Sequence, residues 1–263
     1  MEFRDEPRAH GRDSIVRRQK EHASNMDMSF FASQTGLLAA SENQAAIADN
    51  IANSTTPSYK KNRIVQADFE LPGTKIIAQD RDFSVGDPRP TGRQLDLFID
   101  GQAFFQIDIN GTEGYTRNGS FEVDSEGNLI TKQGYTVSPA IVVPEDAVSV
   151  RVQSDGTVLA VLDNDGATQN LGQLDAVRFP NTEGLVSIGD SLYIQGPNSG
   201  AAILGNFQDD DFPLIVPGTL EESNVELAQE FTNQIINQRY FQENARAFQI
   251  AEQMVGEAID LVS

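Results

Sequence analysis

The sequence predicts an α+β fold in which both termini build a discontinuous, coiled-coil-like helical domain and an antiparallel all-β domain is inserted between them. Apolar residues recur at helical spacing near the N-terminus, and a longer helical pattern closes the 263-residue chain. Between these patterns, short apolar runs alternate with Asn-Gly and Asp-Gly turns and contain no helical stretch, which is typical of an antiparallel sheet or barrel.

The N-terminal helix is expected within residues 26–58. Small and apolar side chains repeat at helical spacing from Phe30 to Ile51, and alanine, the best helix former, is abundant. Such a thin stripe suits close packing against another helix. Thr56-Pro57 is expected to end the helix, because the residue before a proline is pushed out of the α-helical conformation.

Residues 59–94 form a predicted extended linker in which Pro and Gly separate short candidate strands. The β domain is expected to span residues 95–205. Its first part, from Leu95 to Ile109, alternates apolar and polar residues around Gly101. Turn signals lie at residues 110–111, 126–128, 155–156 and 165–166, where Gly beside Asn or Asp supplies the positive φ that tight hairpins need.

A return linker is predicted at residues 206–219, followed by one long helix over residues 220–263. Phe231, Phe241, Phe248 and Val255 belong to an apolar stripe whose members are mostly three, four or seven residues apart. A helix of ~40 residues would extend ~60 Å at 1.5 Å per residue. Because the N-terminal helix is too small to cover this stripe, we expect it to be buried partly within the chain and partly by other subunits.

Residues 1–25 are polar and carry charges of both signs. We expect them to be disordered, because they have too little apolar surface to offset the entropy of ordering. They also lack the apolar segment of a Sec signal peptide. Two interpretations stay open: the segment is a genuine tail, or translation starts at Met26 or Met28.

Composition argues against several classes of function. A net charge of −20 disfavours nucleic-acid binding, which needs clustered cations. The chain has no cysteine, and its two histidines, His10 and His22, lie in the polar tail, so the commonest bases and the thiol nucleophile are missing elsewhere. The acidic run at residues 209–211 lacks the spacing of a calcium-binding loop. We therefore predict no catalytic residue, no metal site and no cofactor. Separately, no apolar run of the sequence is long enough to cross a membrane.

Two motifs bracket the chain: NIANSTTPSYK at residues 50–60 and GTLEESNV at residues 218–225. The β region adds LDLFIDGQAFF at residues 95–105 and YTRNGSF at residues 115–121. In content and order these segments resemble the signature sequences of the bacterial flagellar rod and hook proteins. Together with the helical stripe, they give these candidate motif and assembly residues: Asn50, Ala52, Asn53, Thr56, Tyr59, Lys60, Leu220, Glu221, Ser223, Asn224, Val225, Phe231, Phe241, Phe248 and Val255.

The resemblance implies a structural subunit of the flagellar basal-body rod, at its distal part, that assembles into a helical tube, transmits torque and encloses the export channel. The implied partners are copies of the same chain, other rod and hook subunits, the flagellar type III export apparatus and the rings around the rod. The implied location is the rod where it crosses the periplasm, reached without a Sec signal.

The sequence departs from the family pattern in places, and several alternatives stay open. Ser58 and Ala103 stand where the family commonly has Gly, and residues 59–94 are short for a distal subunit, so a proximal rod subunit remains a rival. From a different class, the chain could be an extracellular β-rich binding module dimerised by its terminal helices. Locally, Asn50 and Asn53 suit either a turn that caps the helix or a contact with a neighbouring subunit. Arg117 is expected at a strand edge, paired with a nearby acid.

Overall fold

The computed structural model describes the backbone of residues 10–68, 73–162, 167–207, 209 and 211–260. Side chains are described within these ranges from residue 28 to residue 257, except at residue 68. The long helices are α1 (His10–Ala52) and α2 (Leu227–Asp260). A short 3-10 helix covers Thr182–Gly184.

Eighteen strands lie between the two helices in the described part of the chain. They are β1 (Asn62–Asp68), β2 (Thr74–Arg81), β3 (Pro88–Pro90), β4 (Asp96–Ile99), β5 (Phe104–Ile109), β6 (Thr112–Thr116), β7 (Gly119–Val123), β8 (Leu129–Thr131), β9 (Thr136–Val137), β10 (Ala147–Val152), β11 (Thr157–Leu162), β12 (Thr168–Gln173), β13 (Asp175–Arg178), β14 (Val186–Gly189), β15 (Leu192–Ile194), β16 (Ile203–Asn206), β17 (Ile215–Pro217) and β18 (Thr219–Glu221).

The strands form four sheets. The largest follows the order β14-β15-β6-β5-β9-β8-β7-β4-β17, with β13 joining β5 to β16. A three-stranded sheet has the order β10-β11-β12, and β1-β2 and β18-β3 form pairs. Every strand pair whose register is described is antiparallel. The predicted α+β class with antiparallel sheets is therefore confirmed.

The chain divides into two compact units. The helical unit contains the described residues of 1–48, 63–79 and 228–263, and the β unit contains residues 49–62 and the described residues of 80–227. Coiled-coil character of the termini and insertion of a β domain between them stay predictions.

Strand β5 supplies both apolar cores of the β unit, because successive side chains of a strand point to opposite faces. Phe105 packs in the larger core, where its ring meets that of Phe121 at 5.1 Å between centroids. Phe104 packs in the smaller core beside Phe83 and Tyr193, with the rings edge to face. These rings fix β5 and the turn that precedes it, next to the site described below.

Within the helical unit, α1 and α2 touch through small and polar residues. The Asn237 Nδ2 donates to the Ala40 carbonyl at 2.9 Å, and the rings of Phe30 and Phe248 lie 4.4 Å apart. A Cβ at Gly36 would come within 2.5 Å of the Asn244 side chain. The small-residue stripe of α1 thus permits the close approach of a second helix.

The first difference from prediction concerns the start of α1. The helix begins at His10, so residues 10–25 are helical where we expected disorder, and residues 1–9 lie outside the described residues. Arg, Lys, Gln, Glu and Ala are frequent in this stretch, and these residues have high helix propensity even without an apolar face.

The second difference concerns the approach to α2. The return linker predicted at residues 206–219 contains β17, which pairs with β4, and Leu220 and Glu221 lie in β18 rather than in the helix. Helix propensity was overridden here, because Leu220 pairs with Arg89 of β3 and is buried. Helix α2 therefore starts seven residues later than predicted, at Leu227.

Predicted turns at three of the four positions are present in the structure. Asn110 and Gly111, with φ of 53° and 88°, connect β5 to β6, and Gly127 and Gly156 also adopt positive φ. Residues 165–166 lie outside the described residues. Over the described residues, neither long helix has an apolar stretch long enough to cross a membrane.

Candidate functional site

The two bracketing motifs meet inside the β unit at one buried carboxylate. Glu221 Oε1 lies 2.6 Å from Lys60 Nζ, and Glu221 Oε2 lies 2.9 Å from Arg117 Nε. All three side chains are at most 1% exposed. The Gly86 amide also donates to Glu221 Oε1 at 2.8 Å. We call Lys60, Arg117 and Glu221 the ion triad; it confirms that Arg117 pairs with an acid.

Ser58 brings the N-terminal motif to the triad. Its φ of 56° is left-handed, a conformation that costs serine more than it would cost glycine. Two hydrogen bonds compensate: the Ser58 amide donates to the Glu221 carbonyl at 2.9 Å, and its hydroxyl donates to the Arg117 carbonyl at 3.0 Å. Ser58 thus connects both motifs to Arg117, the residue that directly follows β6.

Arg117 organises the connection between β4 and β5. Its Nη1 donates to the Ala103 carbonyl at 2.7 Å and to the Gly101 carbonyl, and its Nη2 donates to the Ile99 carbonyl at 3.2 Å. The planar guanidinium can serve three carbonyls and one carboxylate at once, which an ammonium group cannot. Ala103, whose carbonyl accepts one of these hydrogen bonds, is fully buried.

Asn50 and Asn53 play different parts. Asn53 is local, since its Nδ2 donates to the carbonyl and to the side chain of Asp49 at 2.9 Å. Asn50 instead joins helix to strand: its Oδ1 accepts from the Asn62 amide at 2.7 Å and its Nδ2 donates to the Asn62 carbonyl at 2.9 Å. The capping interpretation therefore holds for Asn53, and Asn50 anchors the chain that leaves the helix.

Asn224 performs the equivalent task at the other motif. Its Oδ1 accepts from the Lys61 amide at 2.7 Å, and its Nδ2 donates to the Asp82 carbonyl at 2.7 Å and to Ser84. The remaining motif residues lie around this framework. Leu220 and Val225 are buried, Tyr59 is buried, Thr56 and Ser223 are partly buried, and Ala52 is exposed.

Electrostatics of the triad follow from its burial. Burial opposes ionisation of Glu221, but the attraction of Arg117 and Lys60 holds the pKa of this carboxyl below its usual value. Burial, reinforced by Arg117, lowers the pKa of Lys60 to about 8, although Glu221 opposes the shift. Near neutral pH the Glu221 carboxyl is ionised and most Lys60 ammonium groups keep their proton. Burial and Asp49 raise the pKa of Tyr59, whose hydroxyl donates to Asp49 at 2.8 Å.

The N-terminal motif also borders a polar cavity of about 260 Å³. Its lining includes Asp49, Asn53, Tyr59, Arg81 and the turn at residues 187–191. Sequence reasoning missed this cavity, because turn residues far apart in the chain form its walls. Among the described residues, no group of three or more His, Cys, Asp or Glu side chains converges in a way that could hold a metal ion.

The predicted stripe residues of α2 are not equivalent. Phe248 packs against Phe30, whereas Phe231, Phe241 and Val255 are 52%, 46% and 40% exposed. Phe241 borders an apolar groove of about 550 Å³ between α1 and α2. The structure therefore packs Phe248 within the helical unit and leaves the other three on the surface of that unit.

Comparison with known families defines the class of protein. Residues 98–160 match the family described as "Flagellar hook protein FlgE/F/G D1 domain", and residues 216–261 match "Flagellar basal body rod FlgEFG protein C-terminal". The second match includes the last two residues of β17, all of β18 and the glutamate of the triad. The chain belongs to the flagellar rod and hook protein family.

The relatives that this chain matches over most of their length are FlgG proteins. The chain is 35% identical to the flagellar basal-body rod protein FlgG of Bacillus subtilis, over 82% of this chain and 91% of that protein. It is 32% identical to FlgG of Borreliella burgdorferi, over 90% of this chain and 99% of that protein. The similarity to the hook protein FlgE of Escherichia coli, at 35% identity, covers 38% of that longer protein.

Proposed function

We propose that this protein is a structural subunit of the flagellar basal-body rod, in its distal part, and has no enzymatic activity. Similarity to FlgG proteins over nearly their whole length supports this assignment. The hook protein fits less well, because the chain matches little more than a third of it.

The observation that carries the mechanical role is the exposed apolar surface of α2. Large side chains such as Phe231, Ile235, Ile236 and Ile250 are each more than half exposed in the single chain. Exposing so many apolar groups along one helix is unfavourable in water unless another surface covers them. In a rod, helices of neighbouring copies would cover them, and many such contacts would transmit torque around the export channel.

The proposal includes partners and location. The subunit would pass through the flagellar type III export apparatus, contact other rod and hook subunits, and be surrounded by the ring proteins of the basal body. It would lie in the rod where the rod crosses the periplasm.

Basal bodies from cells that lack this gene test the proposal. For a distal subunit, imaging should reveal rods that retain their proximal part and stop short without a hook, and the intact gene should restore full rods and motility. Loss of the whole rod would favour the proximal position. Complete, motile flagella without the gene would contradict a rod function and favour a separate binding module.

A further inference from the structure

The segment at residues 215–225 completes the β unit by pairing with strands that lie more than a hundred residues earlier in the chain. Its strand β17 pairs with β4, and its strand β18 pairs with β3. Ile215 and Leu220 are 1% and 5% exposed, so both strands are part of the folded interior. We call residues 215–225 the closing segment.

Backbone groups of the closing segment bond to residues that are far away in the sequence. The Gly218 amide donates to the Asp96 carbonyl at 2.8 Å, and the Gly218 carbonyl accepts from the Thr91 amide at 2.8 Å. The Glu222 amide donates to the Asp87 carbonyl at 2.9 Å. These contacts cannot form until the closing segment itself is available.

The buried charges of Lys60 and Arg117 make the β unit depend more strongly on the closing segment. Without Glu221, the ammonium of Lys60 and the guanidinium of Arg117 would lie together in the interior and repel each other. Carbonyls of Ser84, Ala103 and Ile99 accept hydrogen bonds from them but supply no counter-charge. A buried charge whose partner is removed is strongly destabilising, so the rest of the β unit is poorly stable on its own.

We propose that the closing segment is a folding latch: the β unit becomes stable only when Glu221 docks between Lys60 and Arg117. A chain that is still being synthesised from its N-terminus lacks this carboxylate until residue 221 has been added, long after Lys60 and Arg117. The β unit would therefore stay open during synthesis. The use of this delay, to keep the chain unfolded for export, rests on the proposed function.

Urea unfolding of the purified full-length protein tests the latch. Tyrosine fluorescence is a suitable signal, because the chain has no tryptophan and Tyr115 and Tyr193 are buried in the β unit. We expect a cooperative transition for the full chain and none for a chain that ends at Leu214. A truncated chain with the same transition midpoint as the full chain would overturn the proposal.

Three full-length variants keep the test specific to Glu221. E221Q keeps the shape and removes the charge, and it should reduce the folding equilibrium constant at least about a hundredfold. E222Q changes the neighbouring, half-exposed carboxylate and should leave the midpoint nearly unchanged. Adding K60M to E221Q removes one uncompensated cation and should recover part of the loss.

Two outcomes would contradict the latch. In the first, E221Q has the same urea midpoint as E222Q, which would show that the triad does not stabilise the β unit. In the second, adding K60M to E221Q lowers the midpoint further, which would show that loss of charge compensation is not the cause. Neither measurement depends on rod assembly, so the latch and the proposed function can fail separately.

Discussion

Glu221 shows how one side chain can be decisive in a protein with 39 acidic residues. Most acidic side chains that the structure describes are exposed, whereas Glu221 is buried and accepts hydrogen bonds from Lys60, Arg117 and the Gly86 amide. The motif identified Glu221 in the sequence as a candidate, but its environment could not be predicted. Its partners lie 161, 104 and 135 residues away, and no local pattern connects them.

The triad should make the protein sensitive to acid. The pKa of Glu221 is lowered in the folded state, so the unfolded chain takes up this proton more readily. Its contribution to stability is therefore present above the usual pKa of 4.5 and is lost as the pH falls through the folded-state pKa. We expect urea midpoints to fall more steeply in the wild type than in E221Q as the pH drops below 4.5. Equal slopes would show that Glu221 is not the responsible group.

Ser58 allows a second test at the residue scale. Ser58→Gly relieves the left-handed strain while losing one hydrogen bond, so we expect a change in unfolding free energy within about 1 kcal/mol. Ser58→Ala keeps the strain and leaves the Arg117 carbonyl without this donor, and should cost about 1 to 3 kcal/mol. Thermal unfolding of both variants measures the difference. A more stable alanine variant would contradict this account of residue 58.

Helix α2 was predicted correctly as a long helix, but its faces were not. Its buried positions include Glu230, Asn237 and Ala251, which share one face because seven residues make nearly two turns. The apolar pattern placed Phe241 and Phe248 in one stripe, yet Phe241 is 46% exposed and borders a groove, whereas the ring of Phe248 packs against Phe30. Periodicity identifies a helix reliably, whereas the side that meets its neighbour depends on how closely the partner backbone can approach.

The start of α2 was also predicted wrongly, because distant strand pairing decides the conformation there. Leu220 and Glu221 carry no signal against a helix, and their strand exists only because β3 pairs with them. The turn at Asn110 and Gly111 was predictable, since its left-handed conformation is local and favours these two residue types. Sequence reasoning thus succeeded where neighbouring residues decide the conformation and failed where distant pairing decides it.

The exposed row of α2 yields an assembly prediction. Phe231 and Ile235 are each more than half exposed, so changing both to Ser should alter the unfolding free energy of the monomer by only about 1 kcal/mol. The same change should prevent incorporation into rods and abolish motility. Gln249→Ala, at an exposed polar position of the same helix, is the matched control and should be motile. Normal rods in the double variant would show that this row is not an assembly surface.

The whole molecule combines a well-closed β unit with a helical unit whose surface is unusually apolar. In the β unit, Lys60 and Glu221 of the two motifs form the ion triad with Arg117. Strands of the same unit enclose two apolar cores. In the helical unit, described side chains on both long helices expose large apolar groups, Leu38 of α1 among them. This contrast predicts that the β unit is stable in the free subunit and that the terminal helices become stable on assembly.

Amide hydrogen exchange, compared between the dilute monomer and isolated rods, tests this central claim most directly. We expect residues 228–257 to exchange quickly in the monomer and to become strongly protected in rods. Residues 96–123 of the β unit should be protected in both states. Strong protection of residues 228–257 in the monomer, or no gain of protection in rods, would contradict the claim that neighbouring subunits cover α2.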